Sequence, residues 1–443
     1  MDDLNRRELS LYVHIPFCKE KCSYCDFLSF GNCGYRLQRQ YVDELKNEIM
    51  LYEDISYMYQ IKSIFLGGGT PSYIDSAWIV EIMDVIRNTF VLEEDVEITI
   101  EGNPDSLSRK HLADYKKAGI NRLSIGLQSA NSDSLKRLNR VHNFDQFVAA
   151  FNSARQAGFD NINVDIMSGL PGEGMEDYVH TLAKVVEMSP EHISAYSLIV
   201  EEGTPLSENH ALLDMMPSEE LDRQMYGRTK TLLKNCGYSR YEISNYAKPG
   251  YECRHNLVYW TGGEYLGLGL GASSYMKVWV SEKECKTIRF HGVENLNEYI
   301  GRFSGCEGIK EDSYTGLYHE LEDVDSDYDY LYDITENASY NIEQYKQLED
   351  SAFLEFIRDY YRDLYFCKRK DEMEEMMFLG LRLMKGISKK EFYERFLVSI
   401  ESIYGSVIDK YLKNGMLLEK DGYIALSDAG IDVSNVIMAE FML

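Results

Sequence analysis

The sequence predicts an α/β protein: a partial (β/α)6 barrel followed by a small winged-helix-like α+β domain. Three observations carry that expectation. Six short apolar runs alternate with helical patterns over the first half of the chain. The polar clusters of that half fall at the C-terminal ends of the runs, where (β/α) barrels place their chemistry. From Met373 onward the pattern changes to helix, helix, hairpin and final helix.

The candidate strands are residues 11–15, 61–66, 96–101, 122–126, 161–166 and 192–198. They are short and mostly apolar, as for strands covered on both faces. Between them, residues 36–51 place Leu37, Tyr41, Leu45 and Ile49 at helical spacing. Residues 76–89 do the same with Ile79, Ile82, Met83 and Ile86. Helices over 108–118 and 144–157 end at Gly119 and Gly158, where left-handed C-caps belong. Six β-then-α units in succession imply parallel strands joined by crossover helices. A doubly wound open sheet is the alternative.

Residues 1–235 therefore read as the barrel, and 236–312 as a Gly- and Tyr-rich extension. Residues 313–370 hold an acidic, tyrosine-rich insertion (320–337) and an amphipathic helix over about 342–364. The tail, 371–443, has helices at 374–383, 389–396 and 402–414. Its hairpin, 417–419 with 423–426, turns at Asp421–Gly422.

Bulk composition narrows the function. The 443 residues carry a net charge of −27, with 73 acidic against 46 basic side chains. Such a surface repels phosphate backbones and anionic lipid, which argues against nucleic acid and membranes as partners. The N-terminus is charged and no apolar h-region follows it, so no signal peptide is expected. No stretch is apolar enough to span a bilayer, and a cytoplasmic protein is expected. The 34 tyrosines have no functional explanation in the sequence. Nine cysteines are an odd number, and three crowd within Cys18–Cys25. That pattern points to metal or redox chemistry in a reducing compartment, not to a disulfide framework.

Cys18, Cys22 and Cys25 have C-x3-C-x2-C spacing directly after the first strand. Three thiolates on one loop can take three corners of a 4Fe–4S cubane and leave the fourth iron open. Zinc is the competing reading, but structural zinc sites pair two such arms and no second arm is visible. The other cysteines are scattered and read as packing residues or free thiols.

The second strand ends in Gly67-Gly68-Gly69-Thr70-Pro71-Ser72, where glycines let backbone approach a ligand and expose amides to an anion. The third ends at Glu101, whose carboxylate could pair with an ammonium. The fourth leads to Gln128 and, further on, Arg140; the fifth carries Asp165. Singly, each of these side chains reads as a loop residue bonded to backbone. Their joint placement at strand ends favours one site.

The cysteine spacing, GGGTPS, the strand-three glutamate and RLSIGLQS together resemble the radical S-adenosylmethionine (SAM) superfamily. They resemble one branch closely, the coproporphyrinogen-dehydrogenase-like proteins, from about Leu11 to Tyr275 and weakly over the tail. That branch holds oxygen-independent coproporphyrinogen III oxidases of the HemN type and heme chaperones of the HemW type. Three features favour the latter. The oxidase type has a further cysteine where this chain has Phe27. It has a long segment before its cluster loop, whereas 17 residues precede Cys18 here. Finally, His255-Asn256-Leu257-Val258-Tyr259-Trp260 is similar to the HNxxYW signature of the HemW type.

The resemblance implies a SAM site lined by Tyr12, Gly68, Gly69, Thr70, Glu101, Gln128, Arg140 and Asp165, with Tyr24 stacked on the adenine. It implies heme binding at His255. Without it, a histidine beside asparagine and aromatics reads as a hydrogen-bonded core residue. The function implied is a heme chaperone that carries the cluster and SAM and passes heme to an acceptor protein. No motif encodes that acceptor or an electron donor, and no residue is singled out as catalytic. A membrane protein could be a transient partner, although the chain has no membrane segment. The alternatives are a coproporphyrinogen III oxidase or a radical SAM methyltransferase. A winged helix would ordinarily raise DNA binding; the acidic balance and the lack of a basic stripe oppose it. The acidic insertion departs from the branch.

Overall fold

The computed structural model describes residues 6–281, 284–305 and 351–442. Its frame is a twelve-stranded sheet. Six strands are those the sequence predicts, each a little different in extent: β1 (Arg7–Ile15), β2 (Tyr59–Gly68), β3 (Val91–Gly102), β4 (Arg122–Gln128), β5 (Asn161–Ser168) and β6 (His192–Ser197). They lie in chain order and pair in parallel. Helices α1 (Tyr35–Met50), α2 (Ser76–Thr89), α3 (Arg109–Lys117), α4 (Phe144–Gln156) and α5 (Met175–Met188) fall between successive strands, and α6 (Glu219–Asn235) follows β6. After α3 and α4, Gly119 and Gly158 take φ of +75° and +87°, the left-handed geometry that ends a helix.

The two faces of this sheet differ, and here the sequence reading is corrected. Leu11, Val13, Ile64, Leu66, Ile98, Ile100, Leu123 and Ile125 are buried in the main apolar core. The alternate residues are largely polar yet also buried, including Ser10, His14, Ser63, Glu97, Thr99, Ser124, Asn163, His192 and Ser194. The strands are thus apolar on the helix side and polar on the inner side, because period-two alternation sends every second residue inward.

The described strands between Ser239 and His291 belong to this same sheet. Strand β7 (Asn245–Ala247) runs antiparallel beside β6. Strand β8 (Tyr265–Leu268) joins the other side, parallel to β1. Beyond it come β9 (Ser273–Ser281), β10 (Glu284–His291) and β11 (Arg362–Phe366), all antiparallel. The sheet therefore stays open, with β11 at one edge and the two-residue strand Ser239–Arg240 at the other.

The helix expected over 342–364 is corrected at its end. Helix α8 (Ser351–Tyr360) stops at Tyr360, and the next residues pair with β10 (Ile288 opposite Phe366). Edge pairing has outweighed helical periodicity there. Residues 342–350 and the acidic segment 320–337 lie outside the described residues. On either side of that gap, Arg302 Nε donates to the Tyr360 carbonyl at 2.8 Å, and the Phe303 and Tyr360 rings stack at 5.7 Å.

The tail forms its own core. Helices α9 (Arg369–Gly380), α10 (Lys389–Phe396) and α11 (Ile400–Lys413) enclose Met377, Phe392, Phe396, Tyr404 and Phe441. Strands Leu417–Lys420 and Tyr423–Leu426 form the predicted hairpin, with Ile387–Ser388 as a third strand. Two short helices, Asp428–Ile431 and Ser434–Ala439, replace the single final helix.

Part of the tyrosine excess has a structural account. Glu48 of α1 is fully buried and accepts from Tyr361 at 2.7 Å, from Tyr299 at 2.5 Å and from the Gly269 amide at 2.8 Å. Tyr52 donates to Tyr361 at 2.7 Å. Tyrosine suits this place because the ring fills core volume while the hydroxyl satisfies a buried carboxyl. Burial outweighs these donors and pushes the Glu48 carboxyl up to about 7 from 4.5. The folded state then holds a proton that the unfolded chain releases. This contribution to stability is full below about 4.5 and is lost as pH rises through about 7. Urea midpoints measured at pH 5 and pH 8 should therefore fall further apart in wild type than in Glu48→Gln.

Candidate cofactor site

The cluster loop leaves β1 at Ile15 and opens with a two-residue strand, Phe17–Cys18, parallel to Phe30–Gly31. Backbone bonds anchor it to two neighbouring loops: Ser23 donates to Leu138 O at 3.1 Å, and Leu206 donates to Ser23 O at 2.8 Å. Cys18 is buried, while Cys22 and Cys25 are half-buried. Burial raises the Cys18 and Cys25 thiols, and repulsion between the neighbouring cysteines raises them further. Three thiolates this close are costly without a cation, and bound iron supplies one. Among the described residues no His, Cys, Asp or Glu side chains are grouped as ligands of a single metal ion. Three soft thiolate donors on one loop are the chemistry that three irons of a cubane take, so the donor set fits a cluster.

Strand register brings the other predicted residues to the same end. Gly68 pairs with Ile15, Glu101 with Ser124, and Asp165 with Gly126. The glycine run works differently from the expectation. Its amides are not exposed to an anion. Gly68 N–H donates to Glu101 Oε2 at 3.2 Å, Gly69 N–H to Ile15 O at 2.9 Å and Thr70 N–H to Phe17 O at 2.8 Å. The glycines are needed for close approach. A Cβ on Gly68, at φ +109°, would lie 2.4 Å from the His14 ring, and one on Gly69 would lie 2.9 Å from the Phe17 backbone.

Glu101 is held up at about 8, by burial first and by Asp165 second. Asp165 is also raised by burial, although Asn163 donates to it at 2.7 Å and Ser124 at 3.1 Å. Two half-buried carboxyls that repel each other make a place where a cation is favoured. Gln128 occupies a bulge between β4 and β5 with φ +70°, a strained backbone for a residue with a Cβ. Arg140, in the loop after the short helix Ser132–Arg137, donates to Gly126 O at 2.7 Å, to Asn103 Oδ1 at 2.8 Å and to Cys22 Sγ at 3.4 Å. Tyr12 Oη lies 3.0 Å from His14 Nδ1. Tyr24 packs against the cluster of Leu138, Met167, Leu170, Leu198 and Leu206. Sequence reasoning passed over Asn103, although it stands two residues after Glu101.

His255 is elsewhere. It lies on α7 (Arg254–Thr261), whose first amides donate to Glu97: Arg254 N–H at 3.2 Å and His255 N–H at 3.1 Å. A carboxylate there satisfies orphan donors of the helix N-terminus. Ser63 donates to Ser10 at 2.8 Å, so His255 Nδ1–H donates to Ser63 Oγ at 2.9 Å. His255 Nε2 then accepts from Tyr259 Oη at 2.9 Å. Burial and the Arg122 guanidinium hold the ring neutral, with its pKa at about 3. Ser63 is mid-strand, about 16 Å along β2 from Gly68. The expectation of His255 as a heme ligand meets an obstacle: both ring nitrogens are engaged, one by Ser63 and the other by Tyr259.

Comparison with known proteins follows from this geometry. The radical SAM superfamily matches residues 12–185, and the HemN C-terminal domain matches residues 368–433. A protein of Bacillus subtilis (strain 168) named heme chaperone HemW is 31% identical over 442 residues, covering 98% of this chain and 99% of that protein. The chain belongs to the HemW family. The HemW-named proteins of Buchnera aphidicola (subsp. Schizaphis graminum) and Escherichia coli (strain K12) are 42% and 40% identical, over 66% and 60% of this chain and 76% and 69% of theirs. The solved structure of coproporphyrinogen III oxidase (HemN) from Escherichia coli, described as a radical SAM enzyme, has a TM-score of 0.74 at 20% identity. It covers 99% of this chain and 90% of that one. That likeness concerns the fold, and the HemW-family chain shares it from barrel to tail.

Two outcomes test this site. Anaerobic reconstitution with iron and sulfide should load about four irons per chain, and Cys18→Ala, Cys22→Ala or Cys25→Ala should each abolish that loading. Gly69→Ala should cost about 1–3 kcal/mol in chemical denaturation, because the Phe17 backbone beside Cys18 must move, and iron loading should fall with it.

Proposed function

We propose that this chain is a cytoplasmic heme chaperone that carries a 4Fe–4S cluster with SAM, binds heme and passes it to an acceptor protein. The end-to-end match to the Bacillus subtilis heme chaperone carries the reading, since it spans the barrel, the sheet extension and the tail alike. Phe27, 70% exposed, stands where the oxidase type would place another thiol, which also favours it. Among the described residues no helix is long and apolar enough to cross a membrane.

Cys18, Cys22 and Cys25 would hold the cluster and leave one iron for SAM. Glu101, with Asp165 behind it, would take the methionyl ammonium. Arg140 and Thr70 would line the site beside the cluster thiolates, to which they donate. Tyr24 would flank the adenine, with Tyr12, Gly68, Gly69 and Gln128 lining the rest of the pocket. A reduced cluster with SAM on its open iron supplies one-electron chemistry at the sulfonium. The chain's own part is to bind, orient and exclude water.

Heme binding does not begin at His255 in the conformation described, because Tyr259 must first release Nε2. We therefore place the first heme contact outside the buried inner face. Heme titrated into the anaerobically reconstituted protein should give a saturable Soret band that persists in His255→Ala. That variant should lose stability by about 2 kcal/mol or more, since it orphans the Ser63 and Tyr259 hydroxyls and leaves a cavity. A band lost in His255→Ala with the fold intact would return the imidazole to the iron. No heme binding in wild type, with SAM cleaved when coproporphyrinogen and a reductant are added, would overturn the chaperone reading.

A further inference from the structure

We propose that Asn103 is the positioning residue of the cluster site: it turns the Thr70 proton onto Cys18 and holds the Arg140 guanidinium that donates to Cys22. The inference goes beyond family membership and rests on Cys18, Cys22 and Cys25 holding the cluster.

The observation is a polar chain that begins and ends on cysteine sulfur. Thr70 Oγ1 donates to Cys18 Sγ at 3.6 Å. Asn103 Nδ2 donates to Thr70 Oγ1 at 3.2 Å. Arg140 Nη2 donates to Asn103 Oδ1 at 2.8 Å, and Arg140 Nη1 donates to Cys22 Sγ at 3.4 Å. Three consecutive strand ends contribute: Thr70 follows β2, Asn103 follows β3, and Arg140 lies in the loop region after β4.

Donor counting fixes the direction of every link. A guanidinium only donates, so the asparagine must turn its carbonyl oxygen toward Arg140. Its amide NH2 then faces Thr70, and the threonine oxygen is an acceptor in that bond. The threonine proton is left to point the other way, onto Cys18. A side chain with one acceptor end and one donor end is what this place requires. Aspartate has the same shape but two acceptor ends. It would keep Arg140 and draw the Thr70 proton away from sulfur.

The backbone of Asn103 is held independently of its side chain. Its amide donates to Ser72 Oγ at 3.2 Å, and its carbonyl accepts from Ser106 N–H at 3.0 Å. Changing the amide should therefore alter the polarity of the chain without moving the strand end. Hydrogen bonds to the sulfurs of an iron–sulfur cluster favour its more negative, reduced state and raise its potential. Asn103 thus acts on the cluster through two other residues and touches no cysteine itself.

The test is the midpoint potential of the anaerobically reconstituted cluster, followed by electron paramagnetic resonance during redox titration. Wild type, Thr70→Val, Thr70→Ser, Asn103→Asp and the Thr70→Val/Asn103→Asp double variant are compared at equal iron content. Thr70→Val and Asn103→Asp should each lower the potential, and Thr70→Ser should keep the wild-type value. In the Asn103→Asp background Thr70→Val should add no further shift, because the Cys18 bond is already gone. Additive shifts, or an unchanged potential in Asn103→Asp, would overturn the proposal. If Asn103→Asp takes up no cluster, Asn103→Gln carries the test. It keeps both amide ends but moves them by one methylene, so a wild-type potential there would equally sink the idea. A wild-type protein that takes up no iron would instead refute the cluster reading on which the proposal rests.

Discussion

The structure depends on a polar inner face that has to be satisfied strand by strand. A parallel sheet covered on both sides is ordinarily apolar on both. Here the helix-facing side is apolar and the inner side carries Ser10, Ser63, Glu97, Thr99, Ser124, Asn163, His192 and Ser194, all buried. Each such group left without a partner would cost about 1–3 kcal/mol. The partners come from neighbouring strands and from α7. Asn163 bridges His192 and Ser124 at 2.6 and 2.8 Å, and His192 reaches Tyr241 at 2.8 Å. Glu97 receives the start of α7, which delivers His255 to Ser63. The extension beyond residue 236 is therefore required by the barrel, because it brings the groups that the inner face needs.

The same face serves different ends along its length. In mid-strand its histidines are kept neutral: burial holds His255 at about 3 and His192 well below the usual histidine range. At the start of β4 stands Arg122, a fully buried cation whose Nε has no hydrogen-bond partner among the described residues. At the strand ends the balance shifts. Burial and mutual repulsion raise Glu101 to about 8, Asp165 is raised as well, and Arg140 stands beside Cys22. Perturbed groups gathered at one end of a sheet are the usual mark of a functional site.

The sequence was informative where the signal was local. Helical spacing and glycine caps placed α1 to α4 within a residue or two, and apolar runs placed β1 to β6. C-x3-C-x2-C marked the loop after β1 because its three cysteines share a few residues of chain. Strand ends singled out Glu101, Gln128 and Asp165, which register sets at one end of the sheet, and Arg140 further on, in the loop after a short helix. What failed was long-range. Strand β8 is four residues whose only distinction is its partner β1, 255 residues away in the chain, as in Leu11 opposite Leu266. Residues 362–366 become a strand because the edge of β10 is open to them. The amides of the glycine run are spent on Ile15, Phe17 and Glu101, which no linear pattern reveals. The motif around His255 was legible, but its burial was not, because that depends on Ser63 and Tyr259 both reaching the ring.

The contact of Arg302 and Phe303 with Tyr360 bears on how this chain tolerates added length. The contact joins residues 58 apart in the chain, and α8 spans about 15 Å from its start to the tyrosine that meets Arg302. Both partners are held by the folded core. For ends already held, each doubling of the intervening chain costs only about 0.6 kcal/mol in closure entropy. Added length in the sequence between them is therefore thermodynamically cheap, while the sheet edge formed by β10 and β11 stays as it is.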